Sequence, residues 1–136
     1  MIGIVLVTHG KIGVELLEAL NGIVGPQEQA AAISIGAEDD MEQCRDAITD
    51  AIKNVNRGQG VILLTDMFGG TPSNLALASM PGSQAVVLAG VNLPLLVKLA
   101  SVRATLPLLD AAREAEMAGR KYIQLVSETI APAKSA

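Results

Sequence analysis

The chain has 136 residues, half of them apolar, and a formal net charge of −4 at pH 7. This length is that of one domain, and the lack of a basic patch argues against a nucleic-acid partner. The single cysteine, Cys44, cannot form an internal disulfide, no apolar run approaches the ~20 residues of a membrane span, and the N-terminus shows no signal-peptide pattern, so we expect a cytoplasmic protein.

Short apolar runs alternate with stretches of helical periodicity along the chain. The predicted elements, in chain order, are strand 2–7, helix 11–22, strand 31–35, helix 39–56, strand 61–65, a helix from Thr71 to Pro81-Gly82, strand 85–89, helices 93–102 and 107–118, and strand 122–126. Thr71 as N-cap, with Pro72 at the first helical position, predicts the start of the third helix.

Strand–helix alternation repeated four times predicts an α/β fold: a doubly wound, mainly parallel sheet with helices on both faces. We expect the strand order 2-1-3-4, with the half-polar strand 122–126 at an edge of the sheet. Residues 1–130 form a single domain in this interpretation, and residues 131–136 form a short disordered tail rich in Ala, Pro and Lys.

The only histidine, His9, directly follows the first predicted strand. A lone histidine is more often structural than reactive. In open α/β sheets, however, ligands bind where strands reach their carboxyl ends, and His9 lies at such a corner. The position therefore favours a functional role for His9.

The strand order 2-1-3-4 makes strands 1 and 3 neighbours, which predicts that His9 and Asp66 stand side by side. A carboxylate can accept one ring N–H, fix the tautomer and leave the other nitrogen as a nucleophile. Gly69-Gly70, opening a helix, can form a cradle of backbone N–H groups for an anion. Taken singly, Asp66 is equally compatible with a turn cap and the glycines with an ordinary loop. Together, these residues suggest phosphoryl transfer through a phosphohistidine.

Three segments carry a family resemblance: Val7-Thr8-His9-Gly10, residues 65–74 (TDMFGGTPSN) and residues 88–96 (LAGVNLPLL). With these motifs, in this order and spacing, the chain resembles the mannose-family EIIA domain of the bacterial phosphoenolpyruvate-dependent sugar phosphotransferase system. The resemblance extends over about residues 1–125.

The resemblance implies that His9 accepts phosphate from phospho-HPr, through Nε2, and that Asp66 orients the imidazole. The expected catalytic residues are therefore His9 and Asp66, and no cofactor or metal is expected. The candidate phosphate-binding residues are Thr8, Gly10, Met67, Phe68, Gly69, Gly70 and Thr71.

The same resemblance implies a homodimer that exchanges its C-terminal strand. It also implies onward transfer of the phosphoryl group to an EIIB component. The alternative is a regulatory EIIA, whose phosphorylation state controls binding to a partner protein without sugar transport.

Other proteins with this sheet fit the sequence less well. A receiver domain needs an acidic pair after strand 1, where this chain has Thr8-His9, and Asp39-Asp40 follow strand 2 instead. A flavodoxin-like module would need aromatic residues beside the flavin, and only Phe68 is available in the loops. The EIIA-like domain of dihydroxyacetone kinase systems shares the fold and the histidine but not the Gly69–Pro72 helix start. One histidine and one cysteine on separate elements supply no metal-ligand cluster.

Overall fold

The computed structural model describes residues 1–130 of the chain. These residues form four strands and six helices. In chain order they are β1 (Gly3–His9), α1 (Ile12–Val24), β2 (Ala30–Ile35), α2 (Met41–Val55), β3 (Val61–Thr65), α3 (Thr71–Ala78), β4 (Ala85–Ala89), α4 (Leu93–Val102), α5 (Leu108–Lys121) and α6 (Val126–Ile130). No helix within residues 1–130 is long and apolar enough to cross a membrane.

The four strands form one parallel sheet in the order β2-β1-β3-β4, which confirms the predicted topology. In the register of the two central strands, Val7 pairs with Thr65. On the other side of β1, His9 pairs with Ile35. The chain winds outward in opposite directions from β1 and β3, so the topological switch point lies at their carboxyl ends.

The sheet separates two aliphatic cores, one on each face. Successive residues of a strand point to opposite faces, so Val5 and Val7 pack with α2 and α3, whereas Leu6 packs with α1, α4 and α5. Cys44 lies in the first of these cores. Burial raises the pKa of the Cys44 thiol, and the charges of Asp39 and Asp40 add to the effect.

A buried arginine ties the amino end of the sheet together. Arg103, 1% exposed at the end of α4, donates to the carbonyl of Ile2 at 3.0 Å and to Gln27 Oε1 at 3.1 Å. It also donates to the backbone carbonyls of Glu28 and Gln29. The buried guanidinium is satisfied by these four acceptors, which matters because a buried charged group without hydrogen-bond partners is costly.

The prediction of a strand at 122–126 is wrong for the single chain. Helix α5 continues to Lys121, residues 123–125 have no regular structure, and α6 begins at Val126. A strand requires a hydrogen-bonding neighbour, and within residues 1–130 no strand pairs with this segment. Its apolar side chains stay in solvent: Ile123 is 76% exposed. The predicted disordered tail, residues 131–136, lies outside the described residues.

Candidate active site

The two central strands bring His9 and Asp66 together, as their sequence positions predicted. His9 is the last residue of β1, and Asp66 directly follows β3. In the structure His9 Nδ1 lies 2.8 Å from Asp66 Oδ2, and the backbone N–H of His9 donates to the same oxygen at 3.0 Å. Residues 57 positions apart in the chain thus form one side-chain pair at the switch point.

The contact with Asp66 fixes the tautomer of His9. An ionised carboxylate only accepts hydrogen bonds, so in the neutral imidazole the proton lies on Nδ1 and Nε2 keeps its lone pair. The His9 side chain is 48% exposed and that of Asp66 only 13%. The aspartate is therefore the shielded, positioning partner, and the imidazole is the one that can meet another molecule.

Opposing effects act on the Asp66 carboxyl group. Burial by itself raises the pKa of Asp66, but hydrogen bonds from the His9 ring and backbone, with the charge of His9, together hold it below its ordinary value. Asp66 Oδ1 also accepts the backbone N–H of Met67 at 3.1 Å. The carboxylate is consequently ionised at neutral pH and fixed through both oxygens.

Gly70 lies directly against the imidazole. A Cβ at this position would lie 2.9 Å from His9 Cε1 and 3.2 Å from His9 Nε2, closer than side-chain packing allows. The backbone of Gly70 is extended, with φ −103° and ψ 176°, a conformation that any residue adopts. Gly70 is thus required for close approach, whereas Gly69, at φ +96°, is required for the turn itself.

The start of α3 differs from the sequence prediction by one residue. Gly70, not Thr71, is the N-cap, and Thr71 is the first helical residue. The Gly70 carbonyl accepts the N–H of Asn74 at 3.0 Å, which closes the first turn without a side-chain cap. The Thr71 hydroxyl is therefore not used in capping, and Thr71 lies exposed beside Gly70 at the positive end of the helix.

Of the other predicted site residues, Thr8 and Gly10 have structural roles at the end of β1, whereas Met67 and Phe68 are exposed. Thr8 is fully buried, and its hydroxyl accepts the N–H of Gly13 at 2.7 Å, so it supports the first turn of α1 and does not reach the imidazole side. The pleat explains this position, because Thr8 and His9 point to opposite faces of the sheet. Gly10 forms the turn after β1 at φ +51°. Met67 and Phe68 extend into solvent at the tip of the loop, with Phe68 74% exposed.

Asn92, in the segment of residues 88–96 that carries part of the family resemblance, holds a neighbouring loop in place. Its Oδ1 accepts the N–H of Leu95 at 3.0 Å as the N-cap of α4, and its Nδ2 donates to the carbonyl of Gly119 at 3.1 Å. The N–H groups of Gly90 and Val91 both reach the carbonyl of Thr65, the residue before Asp66. Asn92 was not among the predicted site residues, although an Asn two residues before a proline is an N-cap signal.

Fold and site together define a parallel α/β domain with a carboxylate-oriented histidine at its topological switch point. The chain matches the family described as the PTS system fructose IIA component, EIIA-man, over residues 3–116. Because the match covers most of the chain, the protein belongs to this EIIA family of the sugar phosphotransferase system.

Individual relatives agree with this assignment. The chain is 28% identical to the fructose-specific EIIA component of Bacillus subtilis, over 100% of this chain and 94% of the relative. It is 30% identical to the mannose-specific EIIAB component of Escherichia coli K12, over 80% of this chain and 34% of that longer protein. A crystal structure of an EIIA component from Streptococcus agalactiae superimposes with a TM-score of 0.84 at 26% identity, covering 94% of this chain and 99% of that one. EIIA components act in phosphoryl transfer with HPr and EIIB-type proteins, and that general role fits this chain.

Removal of the imidazole should raise the pKa of Asp66. In the wild type, the stability gained from the ionised Asp66 is present above the unfolded-state pKa and is lost as the pH falls through the lowered folded-state value. In His9→Ala the ring hydrogen bond and charge are absent while burial remains, so we expect the Asp66 titration to move to higher pH. Carboxyl ¹³C shifts measured against pH test this. An unchanged Asp66 midpoint would contradict the pairing.

Proposed function

We propose that the protein is a phosphoryl carrier that accepts a phosphoryl group from phospho-HPr on His9 Nε2 and passes it to an EIIB component. The observation that carries this proposal is the hydrogen bond between His9 Nδ1 and Asp66, 2.8 Å long. It leaves Nε2 as the unprotonated nitrogen, on the side of the ring that faces Gly70.

The transfer step balances without a cofactor. The Nε2 lone pair forms a bond to phosphorus as the bond between phosphorus and the donor's histidine nitrogen breaks, and that electron pair returns to the donor ring. The His9 ring then carries a positive charge, which the ionised Asp66 stabilises. In transfer to an EIIB component, His9 is the leaving group: a nucleophile of the acceptor forms a bond to phosphorus as the bond between phosphorus and His9 Nε2 breaks, and that electron pair returns to the His9 ring.

The start of α3 supports the proposal because it offers hydrogen-bond donors to a negatively charged phosphoryl group. Phosphoryl transfer depends on positioning and on stabilising the negative charge of the phosphoryl oxygens. The backbone of Gly69 and Gly70, the Thr71 hydroxyl and the helix N-terminus offer donors and partial positive charge beside Nε2. We assign phosphate binding to these residues. Met67 and Phe68, exposed at the loop tip, are assigned to contact with the partner proteins.

We also propose a homodimer in which residues 122–126 pair with the sheet of a second subunit. β4 pairs with β3 along one edge and is the last strand of the described sheet on its other edge. A groove of about 410 Å³ runs beside that free edge, and Val87, Ala89 and Ile123 are among the residues lining it. An exposed sheet edge beside an unpaired apolar segment favours strand addition between two copies of the chain.

His9→Ala should fold normally and take up no phosphate when incubated with phosphoenolpyruvate, enzyme I and HPr, because the chain has no other histidine. Asp66→Asn should remain folded and accept phosphate about two or more orders of magnitude more slowly, because the tautomer is no longer fixed. Acid-labile label retained on His9→Ala would refute the assignment of His9 as the phosphate acceptor.

Adding an EIIB component to the phosphoprotein tests the next step. Rapid loss of label supports onward transfer, and a persistent phosphoprotein supports the regulatory role instead.

Gly70→Ala should slow phosphorylation by more than about tenfold, and it should lower stability by only about 1 kcal/mol, because Gly70 is the N-cap of α3 and alanine is a poor N-cap. The backbone conformation suits alanine, but the methyl group would displace the imidazole from its position. Gly22→Ala is the matched control, because nothing lies within 4 Å of a Cβ there. It should stabilise α1 by about 0.5–1 kcal/mol and leave phosphorylation unchanged. Equal phosphorylation rates in the two variants would exclude Gly70 from the site.

Deletion of residues 121–136 should convert the dimer to monomer or aggregate, as measured by sedimentation at micromolar concentration. A milder variant, Ile123→Asp with Leu125→Asp, should have the same effect because charges would enter the apolar face of the added strand. Gln124→Asp, on the opposite face of that strand, is the control and should stay dimeric. A wild-type chain that sediments as a monomer would contradict the proposal.

A further inference from the structure

A second candidate site lies away from His9, in a groove between α2 and the segment from the end of α3 to β4. The groove has a volume of about 480 Å³. Arg45, Thr49 and Lys53 line it from α2, and Ser83 and Gln84 are among the residues on the opposite wall. None of the residues assigned to phosphoryl transfer lines the groove. Its volume is in the range of about 300–1,000 Å³ that is typical of small-molecule sites.

The groove carries a local excess of positive charge. Within residues 1–130 the ion pairs are His9–Asp66 and Arg120–Glu116, so neither Arg45 nor Lys53 makes a direct ion pair. The carboxylates of the same helix, Glu42, Asp46 and Asp50, do not line the groove, and no other acidic residue does. The lining itself therefore carries two cations and no anion, which favours an anionic ligand there.

The spacing along α2 lets both cations reach one ligand. Arg45, Thr49 and Lys53 lie four residues apart and form one stripe of the helix, about 12 Å long at the α-helical rise. Two long side chains can converge across that distance, with the Thr49 hydroxyl between them. A guanidinium fork and an ammonium group are the side chains that bind phosphate oxygens best.

The opposite wall is polar and held by its own hydrogen bonds. The Ser83 hydroxyl donates to the carbonyls of Ser79 and Met80 at 2.9 and 2.8 Å. Asn56 Nδ2 donates to Gln84 Oε1 at 3.3 Å, which joins the end of α2 to the start of β4. Asn56 Oδ1 also accepts the N–H groups of Gly58 and Gly60, and Gln84 Nε2 donates to the carbonyl of Gly58. The second N–H of each amide group can still donate to a hydroxylated molecule, next to apolar surface from Ala78 and Pro81.

We propose that this groove binds a small phosphorylated polyhydroxy compound, with its phosphate between Arg45 and Lys53 and its hydroxyl groups toward Asn56 and Gln84. Binding here involves none of the phosphoryl-transfer residues, so the inference stands apart from the carrier function. It assigns the domain a second ligand site, for a metabolite that is not consumed at His9.

Titration of the ¹⁵N-labelled full chain with glucose 6-phosphate at low ionic strength tests the proposal. We expect saturable shifts at residues 45–56 and 79–84 below about 10 mM ligand. Arg45→Gln with Lys53→Gln should weaken binding at least tenfold. Arg113→Gln with Lys121→Gln, exposed cations at the same eight-residue spacing on α5, should bind like the wild type. His9→Ala should also bind like the wild type, which separates this site from the transfer site.

Two probes of ligand chemistry complete the test. Glucose should not shift the groove residues, and inorganic phosphate should shift them but bind more weakly than glucose 6-phosphate. Equal binding of both phosphates would overturn the assignment of a hydroxylated ligand. Shifts confined to His9 and Gly70, equal affinity in the Arg45/Lys53 double variant, or no saturable shift with glucose 6-phosphate would overturn the site itself.

Discussion

The hydrogen bond between His9 and Asp66 is the constraint on which the site depends, and it is a consequence of the sheet register. Parallel pairing of Val7 with Thr65 places the carboxyl ends of β1 and β3, and with them His9 and Asp66, at the same edge of the sheet. One carboxylate oxygen then accepts both the ring and the backbone N–H of His9. The imidazole is thereby held in one tautomer and one orientation by a group that is itself fixed at both oxygens. Few other side chains are needed to prepare the imidazole, which suits the proposed carrier, because such a carrier presents one nucleophile to both a donor and an acceptor.

Much of the site is backbone, and this explains why its sequence signal is a pair of glycines. Gly69 makes the turn and Gly70 leaves space for the ring, so the two residues meet different physical requirements. The N–H groups of Gly90 and Val91 donate to the carbonyl of Thr65, at the start of the loop that carries the two glycines. Asn92 in turn fixes the loop of residues 90–92 to α4 and α5. Residues 88–96 therefore help to position His9 indirectly, through the end of β3 and Asp66.

The sequence was sufficient for the features that follow from periodicity and topology. Buried apolar runs predicted the four strands, and the strand order predicted that His9 and Asp66 meet. Features that depend on a single residue's side-chain direction were less predictable. Thr8 is adjacent to His9 in the chain but lies on the other face of the sheet, where Gly13 uses its hydroxyl. Residues 122–126 have the alternation of a strand, yet a strand forms only where a neighbour supplies hydrogen bonds, and the described chain supplies none to them. Local pattern cannot report a partner that lies outside the chain.

The helices of this fold begin in different ways, and α3 and α5 both start without a side-chain cap. The first turns of α2 and α4 are capped by the side chains of Asp40 and Asn92, and that of α1 receives the buried hydroxyl of Thr8. Helix α3 begins at Gly70, and a capping Ser or Asp in its place would add only about a few tenths of a kcal/mol to the stability of the helix. Such a side chain would occupy the amide groups that a phosphoryl group can use, and at Gly70 it would also meet the imidazole. In the proposed carrier, a phosphoryl group on His9 would accept hydrogen bonds from the free amide groups at the start of α3, so phosphorylation of His9 and the first turn of α3 should stabilise one another.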